Sequence, residues 1–199
     1  MSNTNLWGSI LLGFLSVSTC LFKKPRFFWG SAGFDPISFF WMISFFLYGP
    51  FAALVSSLIG SLGISLFSKE PTPVLGAALK FTGTLTVWLT FYFILFISPN
   101  MFCSTLYLEE PSIYMPLSLL AALFRCIVLI PVSFVAIPYF LSLAKKQPVS
   151  YHVMIEEFGG LFNFFFSMIG VNFWITFLDT LIPWLLVFPT GIHARFAVW

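Results

Sequence analysis

Charged side chains are scarce in this chain of 199 residues, since lysine, arginine, aspartate and glutamate together make up 8 % of it. Soluble domains carry about 25 % charged residues, so the composition argues against an ordinary soluble domain. Hydrophobic residues make up 59 % of the chain, and the mean hydropathy is +0.99. Both values are typical of an integral membrane protein, and the length allows one domain of modest size.

Cysteine and histidine are also rare. Cys20, Cys103 and Cys126 are isolated and odd in number, so no disulfide framework or metal-ligand spacing is visible. His152 and His193 lie apart, near the ends of apolar runs, where a single histidine is usually solvated. The HExxH and GxSxG motifs and a phosphate-binding glycine loop are missing as well. We therefore predict no catalytic centre, no metal and no cofactor.

Apolar runs are what the sequence has in abundance. A membrane-spanning helix needs about 20 mostly apolar residues, and the pattern predicts an all-α protein, a six-helix integral membrane bundle in one domain over residues 1–199. Asp35-Pro36 is a helix start signal, and Gly49-Pro50 separates the second span from the third. The predicted spans cover about residues 5–22, 36–49, 50–68, 74–98, 115–143 and 168–190.

Two segments of the chain need a separate interpretation. The first apolar run lacks the basic n-region of a signal peptide, so we interpret it as a retained span. Residues 150–166, before the last span, have a mixed composition that includes Glu156, Glu157 and Gly159-Gly160. We interpret that stretch as a partly helical loop at the membrane interface.

Three charges lie inside these apolar runs. Lys80 lies roughly 9 Å into the fourth span, Arg125 about 14 Å into the fifth and Asp179 about 16 Å into the sixth. A charge at such depth usually faces the bundle interior or a cavity and is paired there. We predict that Arg125 and Asp179 form a buried charge pair and that Lys80 and Asp179 contact a substrate. The alternative is a pair that only fixes the register of two helices.

Aromatic residues make up 21 % of the chain. An apolar slot for a planar ring could be formed by four of them, with nearby polar side chains fixing the orientation of the ring. The slot would consist of Trp41, Trp88, Tyr92 and Trp174, with Thr82, Thr84 and Asn172 as hydrogen-bond partners. The alternative is that each aromatic residue packs in the core or faces lipid.

Small residues recur at helical spacing in two spans. Ser9 and Gly13 form a small-xxx-small pair in the first span, and a longer series occupies one face of the third: Ala53, Ser57, Ser61 and Ser65. Small residues at this spacing let two helix backbones approach closely. The partner helix can belong to the same chain or to another subunit.

Several motifs resemble those of a transporter family. They are FDPISFFW at residues 34–41, FLYGP at 46–50, GAALKFTGT at 76–84, Arg125 within an ALFR run, and Pro138-Tyr139. Together they resemble the substrate-binding (S) components of energy-coupling factor (ECF) vitamin transporters, most closely the riboflavin-type and archaeal-type members.

The resemblance implies a six-helix bundle in the cell membrane with both ends cytoplasmic and a vitamin site near the outer face. It implies riboflavin as the first candidate substrate, and as partners an ECF transmembrane coupling subunit with two cytoplasmic ATPase subunits. In the family, small residues on the first helix contact the coupling subunit, which gives Ser9 and Gly13 a docking role. The positive-inside rule points to the opposite orientation, because most of the basic residues outside the spans lie in the odd-numbered loops.

Two further function classes stay open. A non-catalytic membrane assembly subunit would use the small-residue faces of the first and third spans. An intramembrane enzyme is the less favoured alternative, since no reactive set of side chains is visible.

Overall fold

The computed structural model describes residues 3–19, 36–68, 72–97 and 106–197, and within these ranges the regular structure is helical, with no strand. The predicted all-α class is therefore confirmed. The helices, numbered in chain order, are α1 (Asn3–Ser18), α2 (Pro36–Tyr48), α3 (Pro50–Phe67), α4 (Pro73–Ile97), α5 (Leu106–Glu109), α6 (Pro111–Lys145), α7 (Tyr151–Glu157), α8 (Leu161–Val187) and α9 (Ile192–Phe196).

Proline opens four of the long helices, namely α2, α3, α4 and α6. Its fixed φ suits the first helical position, where the missing N–H has no intrahelical partner in any case. Gly49 alone separates α2 from α3, with φ 89° and ψ −176°. A positive φ is readily adopted only by glycine, so this residue permits the tight link between the two helices.

The helix α2 lies at the centre of the bundle. It contacts α1, α3, α4 and α8, while α6 packs between α4 and α8 and α1 packs against α3. Its side chains from Trp41 to Leu47 are all buried. An apolar, aromatic core surrounds its second half and includes Phe45, Phe46, Phe91, Tyr114 and Trp184.

Four helices are long and apolar enough to cross a membrane: α3, α4, α6 and α8. This composition and these lengths indicate a membrane protein. The apolar helices α1 and α2 are shorter, at 16 and 13 residues. The first predicted span, about 5–22, extends past α1 into residues that lie outside the described ranges. Asp35, the predicted start signal of the second span, also lies outside the described ranges.

The helix α6 extends beyond its predicted span at both ends, whereas α8 begins before the predicted residue 168 and ends at Val187, before the predicted residue 190. The helix α6 is continuous from Pro111 to Lys145 although it contains Pro116, Pro131 and Pro138. The helix α8 begins at Leu161 rather than near residue 168. Before it, Gly159 and Gly160 have φ of 74° and 116°, which ends the short helix α7 and lets α8 start early.

Candidate functional site

A buried ion pair joins α6 to α8 in the middle of the bundle. Arg125 Nη1 donates to Asp179 Oδ2 at 3.1 Å, and the two side chains are 4 % and 3 % exposed. From α2, Ser38 Oγ donates to Asp179 Oδ1 at 2.5 Å. We call these three residues the Arg125–Asp179–Ser38 cluster. Each carboxylate oxygen accepts one hydrogen bond, as a buried charge requires, and the cluster connects three helices.

The guanidinium of Arg125 also rests on α4. A Cβ atom at Gly83 would lie 3.1 Å from both Cζ and Nε of Arg125, and no other guanidinium atom would be closer. Equal distances to these two bonded atoms mean that the flat face of the guanidinium, not an edge, lies over Gly83. A side chain at this position would crowd the guanidinium and also Leu129, whose Cδ1 would lie 2.9 Å from the Cβ atom, so glycine lets Arg125 pack closely on α4.

Two predicted substrate residues of α4 lie fully inside the protein. Thr84 is 0 % exposed and Trp88 is 3 % exposed, and the indole ring of Trp88 stacks on Phe45 with ring centroids 6.2 Å apart. Thr84 Oγ1 and Trp88 Nε1 have no hydrogen-bond partner in the described part of the chain, and the same holds for Arg125 Nε. Buried polar atoms are usually hydrogen-bonded, so these three atoms form an unusual group.

Lys80 and Asn172 have different surroundings. Lys80 is partly buried in α4, four residues before Thr84, and so lies on the same helix face. Asn172 is 5 % exposed, and its Nδ2 donates to Met168 O at 2.8 Å within α8. One of the two N–H donors of the Asn172 amide is thus used by its own helix backbone.

The aromatic slot predicted from the sequence is not assembled in the structure. Trp41 is 0 % exposed, and its Nε1 donates to Ser16 Oγ of α1 at 3.1 Å. Trp174 is 53 % exposed on α8 and stacks on Phe177 of the same helix. Since Trp41 faces α1, Trp88 faces Phe45 and Trp174 faces outward, the three indoles do not surround one space.

The predicted docking pair of α1 faces inward. Ser9 is 0 % exposed and its hydroxyl bonds the backbone of its own helix, at Asn5 O and Leu6 O. A Cβ atom at Gly13 would lie 2.9 Å from Ile59 Cβ of α3. Both residues therefore lie in the contact between α1 and α3, the intrachain alternative, and docking of another subunit here stays a prediction.

Three contacts that involve α8 or α9 were not predicted from the sequence. Tyr114 Oη donates to Thr180 O at 2.8 Å, and Trp184 Nε1 donates to Leu108 O at 2.6 Å. His193, expected to be solvated, is 8 % exposed and its Nε2 lies 3.4 Å from Glu109 Oε2. The two residues of each contact are 66 to 84 positions apart in the sequence, with Glu109 and His193 the farthest apart. No local pattern in the sequence therefore indicates these contacts.

Two apolar grooves lie on the surface of the bundle. One groove of about 560 Å³ lies between α4 and α6, lined by Leu75, Pro131, Val132, Val135, Ala136 and Tyr139. A second, of about 380 Å³, lies between α6 and α8 and includes Cys126. Neither is lined by a predicted site residue. Among the described residues, no group of three or more His, Cys, Asp or Glu side chains could hold a metal ion.

The chain has no significant match among protein-family models, curated proteins or solved structures. Its function must therefore be argued from its own residues.

Proposed function

We propose that this chain is the membrane-embedded substrate-binding subunit of an energy-coupling factor transporter. It would be a multi-pass, six-helix protein of the cell membrane that captures a vitamin-like small molecule, with riboflavin the first to test. An ECF transmembrane coupling subunit and two cytoplasmic ATPase subunits would drive uptake, and the chain itself would catalyse no reaction.

The observation that carries the proposal is the Arg125–Asp179–Ser38 cluster. Ionisable residues within membrane helices are rare and mark substrate or ion pathways by default. This pair lies between α6 and α8 at the first turn of the central helix α2, and Nε of Arg125 itself has no hydrogen-bond partner among the described residues. An apolar core would hold the same helices together without placing charges there, because buried ion pairs seldom add net stability.

The resemblance to the ECF family supports the transporter class in a second way. Two of the resembling runs, residues 34–41 and 76–84, contain Ser38 and Gly83, and the ALFR run contains Arg125. Gly83 lies against the Arg125 guanidinium, and Ser38 donates to the Asp179 carboxylate that pairs with it. Motifs that are far apart in the sequence thus converge on the same place in the bundle.

The test is to identify the small molecules that the protein carries. We expect mass spectrometry of protein purified in a mild detergent to detect a vitamin-like compound, and a flavin would also be visible by its absorbance. Titration calorimetry with riboflavin, thiamin and biotin would then give the affinity. If no compound co-purifies and none of the panel binds, the proposal is wrong.

A non-catalytic assembly subunit is the second candidate, and the outer face of α1 favours it. Trp7, Leu11 and Phe14 are 69 %, 61 % and 62 % exposed and follow one another at helical spacing. Lipid or a partner helix could cover this face. Co-purification of a stable partner without any bound small molecule would favour assembly over substrate capture.

A further inference from the structure

The donors of Arg125 are used unevenly. Its guanidinium has five N–H groups arranged around three nitrogens, and Nη1 donates to Asp179 at 3.1 Å. At the opposite edge of the planar guanidinium, Nε has no acceptor in the described part of the chain, although the side chain is only 4 % exposed. A buried charged donor without an acceptor costs more free energy than a neutral one, so an acceptor is expected at Nε in the working protein.

The position of Gly83 shows which way Nε is directed. Because the flat face of the guanidinium lies over Gly83, its N–H bonds point sideways from α4, within the guanidinium plane. The edge that contains Nε is one of the two-donor edges by which arginine binds a carboxylate with parallel hydrogen bonds. Asp179 does not serve this edge in the structure: its Oδ2 accepts from Nη1 and its Oδ1 from Ser38, and Nε has no acceptor among the described residues.

Two further buried groups, both on α4, have no partner among the described residues and can donate. Trp88 Nε1 can only donate a hydrogen bond, and the Thr84 hydroxyl can donate or accept. Thr84 follows Gly83 directly, and Trp88 lies one helical turn further along the same face of α4. Arg125 Nε and Trp88 Nε1 can only donate, so each lacks an acceptor among the described residues. A ligand that binds the two-donor edge of the arginine must bring a pair of anionic oxygens.

We propose that the substrate carries a carboxylate, which binds the Nε edge of Arg125 with Thr84 as a second donor. This inference rests on the proposed function and narrows its substrate class to small carboxylates. Arg125 then makes two contacts at once: the Nη1 edge stays with Asp179, which fixes the guanidinium, and the Nε edge receives the substrate. A cationic compound would meet the wrong charge at this edge, and an uncharged ring would lack the paired anionic oxygens.

The test compares matched ligands and matched variants of the full chain in detergent or nanodiscs. The ligand pairs are nicotinate with nicotinamide and biotin with its methyl ester, because each pair differs in the carboxylate. Thiamin and riboflavin complete the panel as a cation and an uncharged ring. We expect a carboxylate probe to bind and its uncharged partner to bind on the order of tenfold more weakly or worse, the factor that a hydrogen bond to a charged group contributes.

Two variants probe the two donors separately. Arg125→Lys keeps a cation beside Asp179 but has no fork for a carboxylate, so affinity for the carboxylate probe should fall on the order of tenfold or more. Thr84→Val removes a hydroxyl without changing the shape of the side chain. Since that hydroxyl has no partner among the described residues, the unliganded melting temperature should stay the same or rise, while affinity falls by about fivefold. If Thr84 had only a structural role, the substitution would lower the melting temperature and the affinity together.

Ser44→Ala is the control. Ser44 is 0 % exposed and its hydroxyl is likewise without a partner among the described residues, but it belongs to another face of α2 than Ser38. Its loss should leave affinity unchanged. Binding of thiamin or riboflavin with both variants unaffected would overturn the carboxylate inference and leave the transporter proposal standing. If no probe of the panel binds, both the inference and the transporter proposal fail.

Discussion

The two sides of the central helix α2 are packed in different ways. On one side, α1 and α3 approach closely through glycine and serine, and serine hydroxyls bond their own helix, such as Ser16 to Gly13 O and Ser56 to Ala53 O. One neutral hydrogen bond also crosses between helices on this side, from Trp41 Nε1 to Ser16 Oγ. On the other side, hydrogen bonds and charges cross between helices, as in the Arg125–Asp179–Ser38 cluster and the bond from Tyr114 to Thr180 O.

The two sides therefore show two kinds of helix contact: close backbone packing on one side, and polar or charged contacts between helices on the other. A small-residue contact depends on shape alone and gives no chemical group to a ligand. A charged contact in a membrane helix carries a desolvation cost that packing does not require. The side formed by α6 and α8 is therefore where function is expected, and the side formed by α1 and α3 is where backbone fit is expected.

The largest effect should come from breaking the charged side. Arg125→Ala or Asp179→Ala should each destabilise the protein by about 3–5 kcal/mol, because each leaves an uncompensated buried charge. The double Ala variant should lose less than the sum of the two single changes. Reversible unfolding in detergent would measure all three free energies. Additive losses would mean that the two side chains do not interact.

A smaller effect is expected on the packed side. Gly13→Leu should destabilise the protein by about 1–3 kcal/mol through overpacking, because Ile59 of α3 leaves no room for even a Cβ atom. Gly76→Leu is the matched control, since nothing lies within 4 Å of a Cβ at Gly76, and it should be nearly neutral in stability.

The same Gly13→Leu preparation also tests the docking role predicted for α1. If Gly13 serves a coupling subunit, co-purification with that subunit should be lost while ligand binding and the melting temperature are kept. Parallel loss of stability and ligand binding would instead assign Gly13 to packing within the chain.

The smallest effect concerns one cross-helix hydrogen bond. Tyr114→Phe removes the donor to Thr180 O and should cost about 0.6 kcal/mol, the average for such bonds between membrane helices. Tyr139→Phe is the control, because Tyr139 is 60 % exposed, and its thermal unfolding should match that of the unmodified protein. Equal losses in both variants would show that the Tyr114 bond contributes nothing specific.

Sequence reasoning succeeded where a local signal exists. The all-α class follows from the apolar runs, and the starts of α2 and α3 follow from Pro36 and Pro50. The depths of Arg125 and Asp179 allowed them to be considered as a pair, and the structure brings them together.

Other contacts have no local signal. Ser38 and Asp179 are 141 positions apart, so their hydrogen bond depends on which helices become neighbours. The aromatic slot failed for a related reason. Each of its tryptophans sits in a different helix, and spacing along one helix does not reveal how that helix is rotated about its axis toward the others.

The single-residue link at Gly49 has a consequence for how the chain enters a membrane. The helix α2, with 13 residues, is about 20 Å long and is shorter than the roughly 30 Å hydrocarbon core. No polar loop separates it from α3, so no hydrophilic segment can hold α2 at the membrane surface while α3 is synthesised. We therefore expect the two helices to enter the membrane together, as one hairpin. A polar linker of several residues placed after Gly49 would divide this hairpin and leave α2 stranded at the interface.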